Sequence, residues 1–309
     1  MPHELDDRLV VSFDIAADAD EVWAHLREPD KIRRWFGWDH ADLEAEIDRI
    51  MVLGPSVAET SLADDPATVT LSDQVRSLTW KNGDVLAISR AEADPTAVRH
   101  ARHSHVAPRG AERTHLVVTR RGHARVGPYD GVHDEIDEQW IAFAQQLRFA
   151  LEVHPGEDRR TIRAGNLDAG EFDDPLLDRM GLHGLRGIPV GGHVEVLRPD
   201  GSLLGGTIWH KSVHQVGILT HGPTEALLIV HSTPAASHPP HGLVSALLST
   251  YGVSDERFAD IQRRWSGWWG GADAASGRAS SHILVGRGVA APDAATHHDH
   301  RRLGIRARH

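Results

Sequence analysis

The first half of the chain opens with alternating apolar and polar positions. Apolar side chains occupy every second place from Leu9 to Ile15, which is the period of a strand with one buried face. Asp18 stands three residues before Glu21, the spacing of a capping box, and Pro29 is suited to the first turn of a second helix. We therefore predict a strand followed by two short helices.

The segment from Leu43 to Met51 fits two patterns. Leu43, Ala45 and Ile47 would share one face of a strand, whereas Leu43, Ile47 and Ile50 would share one face of a helix. Residues with high helix propensity dominate the segment, which favours the helix.

Short strand-like runs follow between residues 57 and 121, and a long helix closes them. The runs are VAETS, ATVTLS, VRSLTW, DVLAISRA, TAVRHARHSHV and THLVVTRR, with a hairpin signal, NGD, at residues 82–84. Apolar residues then recur at spacings of four, three, four and four, the period of one helix face: Ile136, Trp140, Phe143, Leu147 and Leu151.

The second half repeats this order in reduced form. It contains a strand RRTIRAGNL, a short helix near residues 175–180, the runs HVEVLRP, LLGGTIWHK, HQVGILT, ALLIVHS and LVSALLSTY, and a closing helix. We predict one α+β domain over residues 1–155, a second, reduced α+β domain over 156–270, and a disordered tail over 271–309. The repeated order indicates a tandem duplication, and two unrelated α+β modules are the alternative.

Composition narrows the class of protein. The 309 residues suggest about two domains, and 33 basic against 44 acidic residues give a net charge of −11, which argues against a generally basic nucleic-acid binder. There is no cysteine, and therefore no thiol nucleophile, disulfide or Cys-based metal site. Prolines and histidines break the uncharged stretch from Ala226 to Ser254 into two apolar runs, typical of buried strands rather than a membrane span. With no secretory signal in the opening residues, we expect a cytoplasmic protein.

Several segments together resemble a known family. The opening DIAADADEVWAHLREPDKIRRWFGW, the run RSLTW at Arg76–Trp80 and the closing IDEQWIAFAQQLRFALE resemble the SRPBCC (Bet v 1-like, START-like) superfamily. Within it they look closest to the group of activator of Hsp90 ATPase homologues (AHSA1-like), over residues 8–153. The resemblance implies a helix-grip fold, in which an antiparallel sheet wraps around a long C-terminal helix and an apolar cavity lies between them. The acidic segment at Leu43–Met51 departs from the family, which has a glycine-rich hairpin there.

The resemblance also suggests which residues line such a cavity. Our candidates are Trp35, Trp80, Tyr129, Trp140 and Phe143. Trp and Tyr suit this role because each combines a large apolar area with one polar group. The alternative for each candidate is that it simply fills the core.

Other candidate chemistry is sparse. His100, His103 and His105 could bind a metal ion, but an exposed strand face is the favoured interpretation. There is no GxSxG, no GxxxxGKS/T and no GxGxxG motif between a strand and a helix. Arg120, Arg121 and Arg125 precede the long helix and could close over an anionic ligand, but solvation is the favoured interpretation.

Three functions remain open. The leading hypothesis is a non-enzymatic protein that binds a small apolar molecule in the cavity of the first domain, without metal or other cofactor. The second is a protein-interaction or chaperone-accessory module, with a protein partner or a second copy of the chain. The third is an enzyme of the cyclase or aromatase type, which would need an acid/base pair inside the cavity. Nucleic acid and membrane are not expected as partners.

Overall fold

The computed structural model describes residues 8–50, 68–71, 75–80, 83–91, 112–120, 132–222 and 224–276. The first half contains β1 (Arg8–Ile15), α1 (Ala19–Arg27), α2 (Pro29–Ile32), α3 (Leu43–Ile50), β2 (Thr68–Leu71), β3 (Val75–Thr79), β4 (Val85–Arg90), β5 (Thr114–Arg120) and α4 (Val132–Glu152). The second half contains β6 (Arg159–Asp168), α5 (Leu176–Arg179), β7 (His193–Leu197), β8 (Leu203–Lys211), β9 (Gln215–His221), β10 (Ala226–Thr233), β11 (Leu243–Tyr251) and α6 (Asp255–Ser276).

Each half forms one antiparallel sheet with the same topology. The strand order is β1-β5-β4-β3-β2 in the first half and β6-β11-β10-β9-β8-β7 in the second. In both, the strand that opens the half pairs with the last strand before the closing helix, and the remaining strands form a meander. The long helix that follows packs against its own sheet. The predicted α+β, helix-grip class is confirmed.

The second half is reduced in its helices and not in its sheet. One short helix, α5, and a single 3₁₀ turn at Leu185–Gly187 replace the three helices of the first half. The second sheet has six strands. The closing helix runs to Ser276, so the first six residues of the predicted tail are helical, and the remainder lies outside the described residues.

Local signals account for the start of the first half. Asp18 caps α1, because its side chain accepts a hydrogen bond from the amide of Asp20. The ambiguous acidic segment is helical, as its composition favours: Leu43 and Ile47, one turn apart, are buried, and Glu44 faces solvent.

The second sheet is buried on both faces. Ile218, Leu228 and Ala246 pack with the tryptophans of α6, whereas Leu227 and Ile229, on the opposite face, pack with residues of α4. A strand covered on both sides has no polar face, which explains the uninterrupted run ALLIV. The uncharged stretch is thus two strands, and no helix in the described ranges is long and apolar enough to cross a membrane.

Helix α4 is shared by the two halves. One side of it contributes to the core of the first half, and the other side carries Phe149 and Ala150 into a cluster with Leu219 and Tyr251 of the second sheet. The Phe149 ring lies 5.3 Å from that of Trp209. The layers therefore run first sheet, α4, second sheet, α6.

A buried arginine joins the halves at the start of β6. The guanidinium of Arg159 donates to the carbonyl oxygens of Phe36 (2.6 Å) and Gly37 (3.0 Å) and to Gln146 Oε1 (2.8 Å). Burial lowers the pKa of Arg159, but a guanidinium remains charged in proteins. These bonds tie the chain after α2 to α4 and to the second sheet.

Candidate functional site

Four of the five predicted lining residues meet in the first half. Trp35, Trp80, Trp140 and Phe143 surround Phe36, and we call these five residues the aromatic cluster. Phe36 lies 5.9, 5.7, 6.5 and 4.9 Å from the four rings, in that order. All five side chains are buried. Tyr129 lies outside the described residues.

The indole N–H groups of the three tryptophans in the aromatic cluster differ in whether they have a hydrogen-bond acceptor. Trp35 Nε1 donates to the carbonyl of His25 at 2.8 Å, and Trp140 Nε1 donates to Asp84 Oδ2 at 2.9 Å. Trp80 Nε1 is buried and has no acceptor in the described part of the chain. An unsatisfied buried donor costs free energy.

A chain of buried charges runs from the aromatic cluster to the start of α4. Arg120 lies 3.4 Å from Asp84 Oδ1 and 2.6 Å from Asp137 Oδ1, and Arg8 contacts both Asp134 and Asp137. The expectation that Arg120 is solvated is wrong, because the carboxylates around it compensate its burial. The acidic start of α4 thus holds arginines as well as facing the helix dipole.

An open cavity of about 230 Å³ lies in the second half, between its sheet and α6. We call it the second-half cavity. Its apolar walls come from Leu204, Ala226, Leu228 and Leu248 on the strands and from Ile261, Trp265 and Trp268 on the helix. Ligand sites in proteins are concave and mostly apolar with a few polar groups, and the space between this sheet and α6 has these properties.

The charged groups among the described residues that line the second-half cavity are cationic. Arg198, Arg257 and Arg264 line it. Thr220 and Thr250 also line it, but their hydroxyls donate to backbone carbonyl oxygens, so both are already occupied. The site therefore combines an apolar floor with a positively charged border.

A larger groove, of about 600 Å³, lies between the halves. It is bordered by β1, by the start of α4 and by residues 211–214. On its wall Glu138 accepts hydrogen bonds from Ser212 Oγ (2.5 Å) and Gln215 Nε2 (2.6 Å). Its walls mix apolar side chains, among them Leu9 and Val213, with charged ones such as Asp134 and Lys211, so the groove is a mixed seam between the halves rather than a mainly apolar site.

Two buried histidine rings have strongly shifted titration. Burial lowers the pKa of His210 to about 4, with Arg148 adding to the effect and a hydrogen bond with Gln215 opposing it. Burial likewise lowers the pKa of His231 to about 4. Neither residue lines the second-half cavity, so neither is placed to act as an acid or base there.

The described ranges contain no group of three His, Asp or Glu side chains arranged to hold a metal ion. The three histidines at positions 100, 103 and 105 lie outside them.

Comparisons with known proteins add two distant structural relatives. The crystal structure of the di-domain ARO/CYC StfQ from the steffimycin biosynthetic pathway aligns at 13% identity over 86% of this chain and 94% of that chain, with a TM-score of 0.27. The crystal structure of the di-domain ARO/CYC BexL from the BE-7585A biosynthetic pathway aligns at 12% identity over 88% and 97%, also with a TM-score of 0.27. No protein-family model and no curated protein matches the sequence. Scores this low support no inference about function, which we take from this chain's own residues.

Sequence reasoning named four members of the aromatic cluster but not its central Phe36, and it did not predict the second-half cavity. In the sequence, Trp265 and Trp268 follow the apolar spacing of a closing helix, which indicates a buried helix face and nothing more. Their spacing of three repeats that of Trp140 and Phe143 in α4, and that repeat was the available signal. Nothing in the sequence indicated that Arg198 and Arg264 share a cavity, because only the fold brings them together.

Proposed function

We propose that this protein binds a small, largely apolar molecule between a sheet and the helix that the sheet grips, in the second-half cavity. The observation that supports this most directly is a cavity of about 230 Å³ with leucine, isoleucine and tryptophan walls. A cavity of about 150 Å³ already accommodates benzene, so this one is large enough for a compound of about two fused rings. Release of water from such walls favours binding.

The first-half location stays a prediction. There the aromatic cluster is closely packed, with Trp80 and Trp140 only 4.6 Å apart, and the unpaired Trp80 N–H supports a polar contact. The resemblance to the AHSA1-like group, the cytoplasmic location and a role without catalysis likewise stay predictions. An enzyme of the cyclase or aromatase type would need an acid/base pair facing the bound molecule.

The neutral compound 2-naphthamide tests the proposal by isothermal titration calorimetry. We expect saturable binding to the full chain and at least tenfold weaker binding to Ala226→Leu, because an isobutyl group in place of a methyl group fills the second-half cavity. Phe143→Leu, in the aromatic cluster, is the matched comparison and should keep the affinity. Loss of binding in Phe143→Leu alone would instead locate the site in the first half. Absence of binding to the unaltered chain would refute the proposed function.

A further inference from the structure

We propose that the second-half cavity selects an organic anion, with its apolar body between the strands and α6 and its charged group at Arg198 and Arg264. This inference rests on the proposed function and adds to it the chemical class of the ligand.

The charge of the cavity lining is one-sided. Arg198, Arg257 and Arg264 line the cavity, and none of its lining residues is acidic. Two carboxylates lie outside the lining but within reach of these arginines, Asp200 and Asp260. Neither carboxylate neutralises the positively charged border of the cavity.

Asp260 is shared among too many arginines to do so. Its carboxylate lies 3.7 Å from Arg257, 2.8 Å from Arg263 and 3.3 Å from Arg264. One carboxylate carries a single negative charge, so these three guanidinium groups keep a surplus of positive charge at the end of the cavity. A fixed surplus of this kind attracts anions.

Asp200 compensates Arg198 only weakly. It lies 3.8 Å from Arg198 Nε, longer than a hydrogen bond. Hydrogen bonds from Ser202 are the main reason why the pKa of Asp200 is lowered, and the charges of Arg198 and Arg264 lower it further. Asp200 is therefore engaged mainly by Ser202 and leaves much of the charge of Arg198 uncompensated.

Two buried donors at the cavity lack an acceptor. Arg198 Nε and Trp265 Nε1 are each buried without a hydrogen-bond partner among the described residues, and both residues line the cavity. Buried polar groups in native proteins are nearly always satisfied. A bound molecule would reach these two N–H groups only if the side chains shift, so the charge of the arginines, rather than these donors, carries the preference for an anion.

The guanidinium of Arg198 is held in position before any ligand arrives. Arg198 lies over the ring of Trp268, 5.7 Å from its centroid, and donates through Nη2 to Ser202 Oγ. The Trp268 indole is fixed in turn, because Nε1 donates to the carbonyl of Met180 at 3.0 Å. A cation held in this way loses little conformational entropy when it binds an anion.

The test compares 2-naphthoate with 2-naphthamide, which has the same rings and nearly the same shape but no charge. With the full chain at pH 7.5, we expect calorimetry to give an affinity for naphthoate at least tenfold higher than for the amide. This preference should shrink as salt is raised, because salt screens the arginines. Arg264→Gln should weaken naphthoate binding severalfold and leave amide binding unchanged.

Arg263→Gln is the matched control. Arg263 contacts the same Asp260 but does not line the cavity, so its loss should not reduce the preference for naphthoate. Equal affinities for the two compounds would overturn the anion proposal and leave the proposed function standing. A preference that survives in Arg264→Gln and Arg198→Gln alike would also overturn it. If neither compound binds, the proposed function itself fails.

Discussion

The buried ring of His210 contributes to the loss of stability at acidic pH. It lies on the second sheet, with Nε2 3.0 Å from Gln215 Oε1. Gln215 in turn donates to Glu138 of α4. A bulge in β8 changes the register between Ile208 and His210, and such a bulge redirects side chains. The ring therefore belongs to the contact between the halves, where a proton on it has no water to solvate it.

We expect this histidine to make the protein less stable below about pH 6.5. Burial lowers the pKa of His210 to about 4, whereas the unfolded chain takes up that proton near pH 6.5. The free energy of unfolding is therefore unaffected above this pH and falls as the pH drops from 6.5 towards 4, by at most about 3 kcal/mol. Urea unfolding of the wild type and His210→Gln at pH 7.5 and pH 5 measures this.

The control for His210 is His183→Gln, at an exposed position. It should keep the pH dependence of the wild type. If His210→Gln also keeps it, the ring does not carry the effect.

At the scale of single elements, the strands of the second sheet contain glycines with different roles. An ideal Cβ on Gly217 would lie 2.2 Å from His210 Nδ1, whereas a Cβ on Gly205 would meet no atom within 4 Å. Both glycines belong to neighbouring strands of one sheet, β9 and β8. The histidine ring is buried and cannot move aside, so β9 requires glycine at this place.

Gly217→Ala should therefore lower the free energy of unfolding by roughly 2 kcal/mol, in the range for overpacking a core. Gly205→Ala should leave it unchanged or raise it slightly, because alanine restricts the unfolded chain more than glycine does. Denaturant unfolding of both variants provides the measurement. Similar losses in the two would show that strand glycines matter here for their backbone freedom and not for space.

The helices and strands were largely predictable from the sequence, but the elements that pack against each of them were not. Period two in β1 and the four-three-four-four spacing of α4 are local signals. The apolar run in β10 indicated that the strand is buried. It did not indicate that α4 covers one of its faces, because α4 lies more than 70 residues away in the sequence. The aromatic cluster followed from a family resemblance. The spacing of Trp265 and Trp268 indicates a buried helix face, but the second-half cavity also depends on how side chains of distant elements meet in space.

At the scale of the whole molecule, α4 couples the halves energetically. Phe149 points away from the first sheet into contact with Trp209 and Tyr251, at 5.3 and 5.7 Å. The hydroxyl of Tyr251 donates to the carbonyl of Arg34 at 3.3 Å, back in the first half. Apolar and polar contacts thus cross the same boundary.

Phe149→Ala should destabilise both halves at once, by roughly 3–5 kcal/mol. Phe172→Ala, at a fully exposed phenylalanine, should change stability by no more than about 0.5 kcal/mol. Differential scanning calorimetry should show one transition in each protein, shifted to lower temperature only in Phe149→Ala. Two separate transitions, with one unmoved by Phe149→Ala, would contradict the coupling.

The burial of the second sheet on both faces has a consequence for how the two halves evolve. A chain cut near His154 would leave Leu219, Leu227 and Ile229 facing water on one fragment and the outer side of α4 exposed on the other. Exposed apolar patches of this kind promote aggregation. The two halves, although they repeat one topology, are therefore not interchangeable modules. A gene that lost either half would encode a fragment prone to precipitate, and selection would keep the pair together.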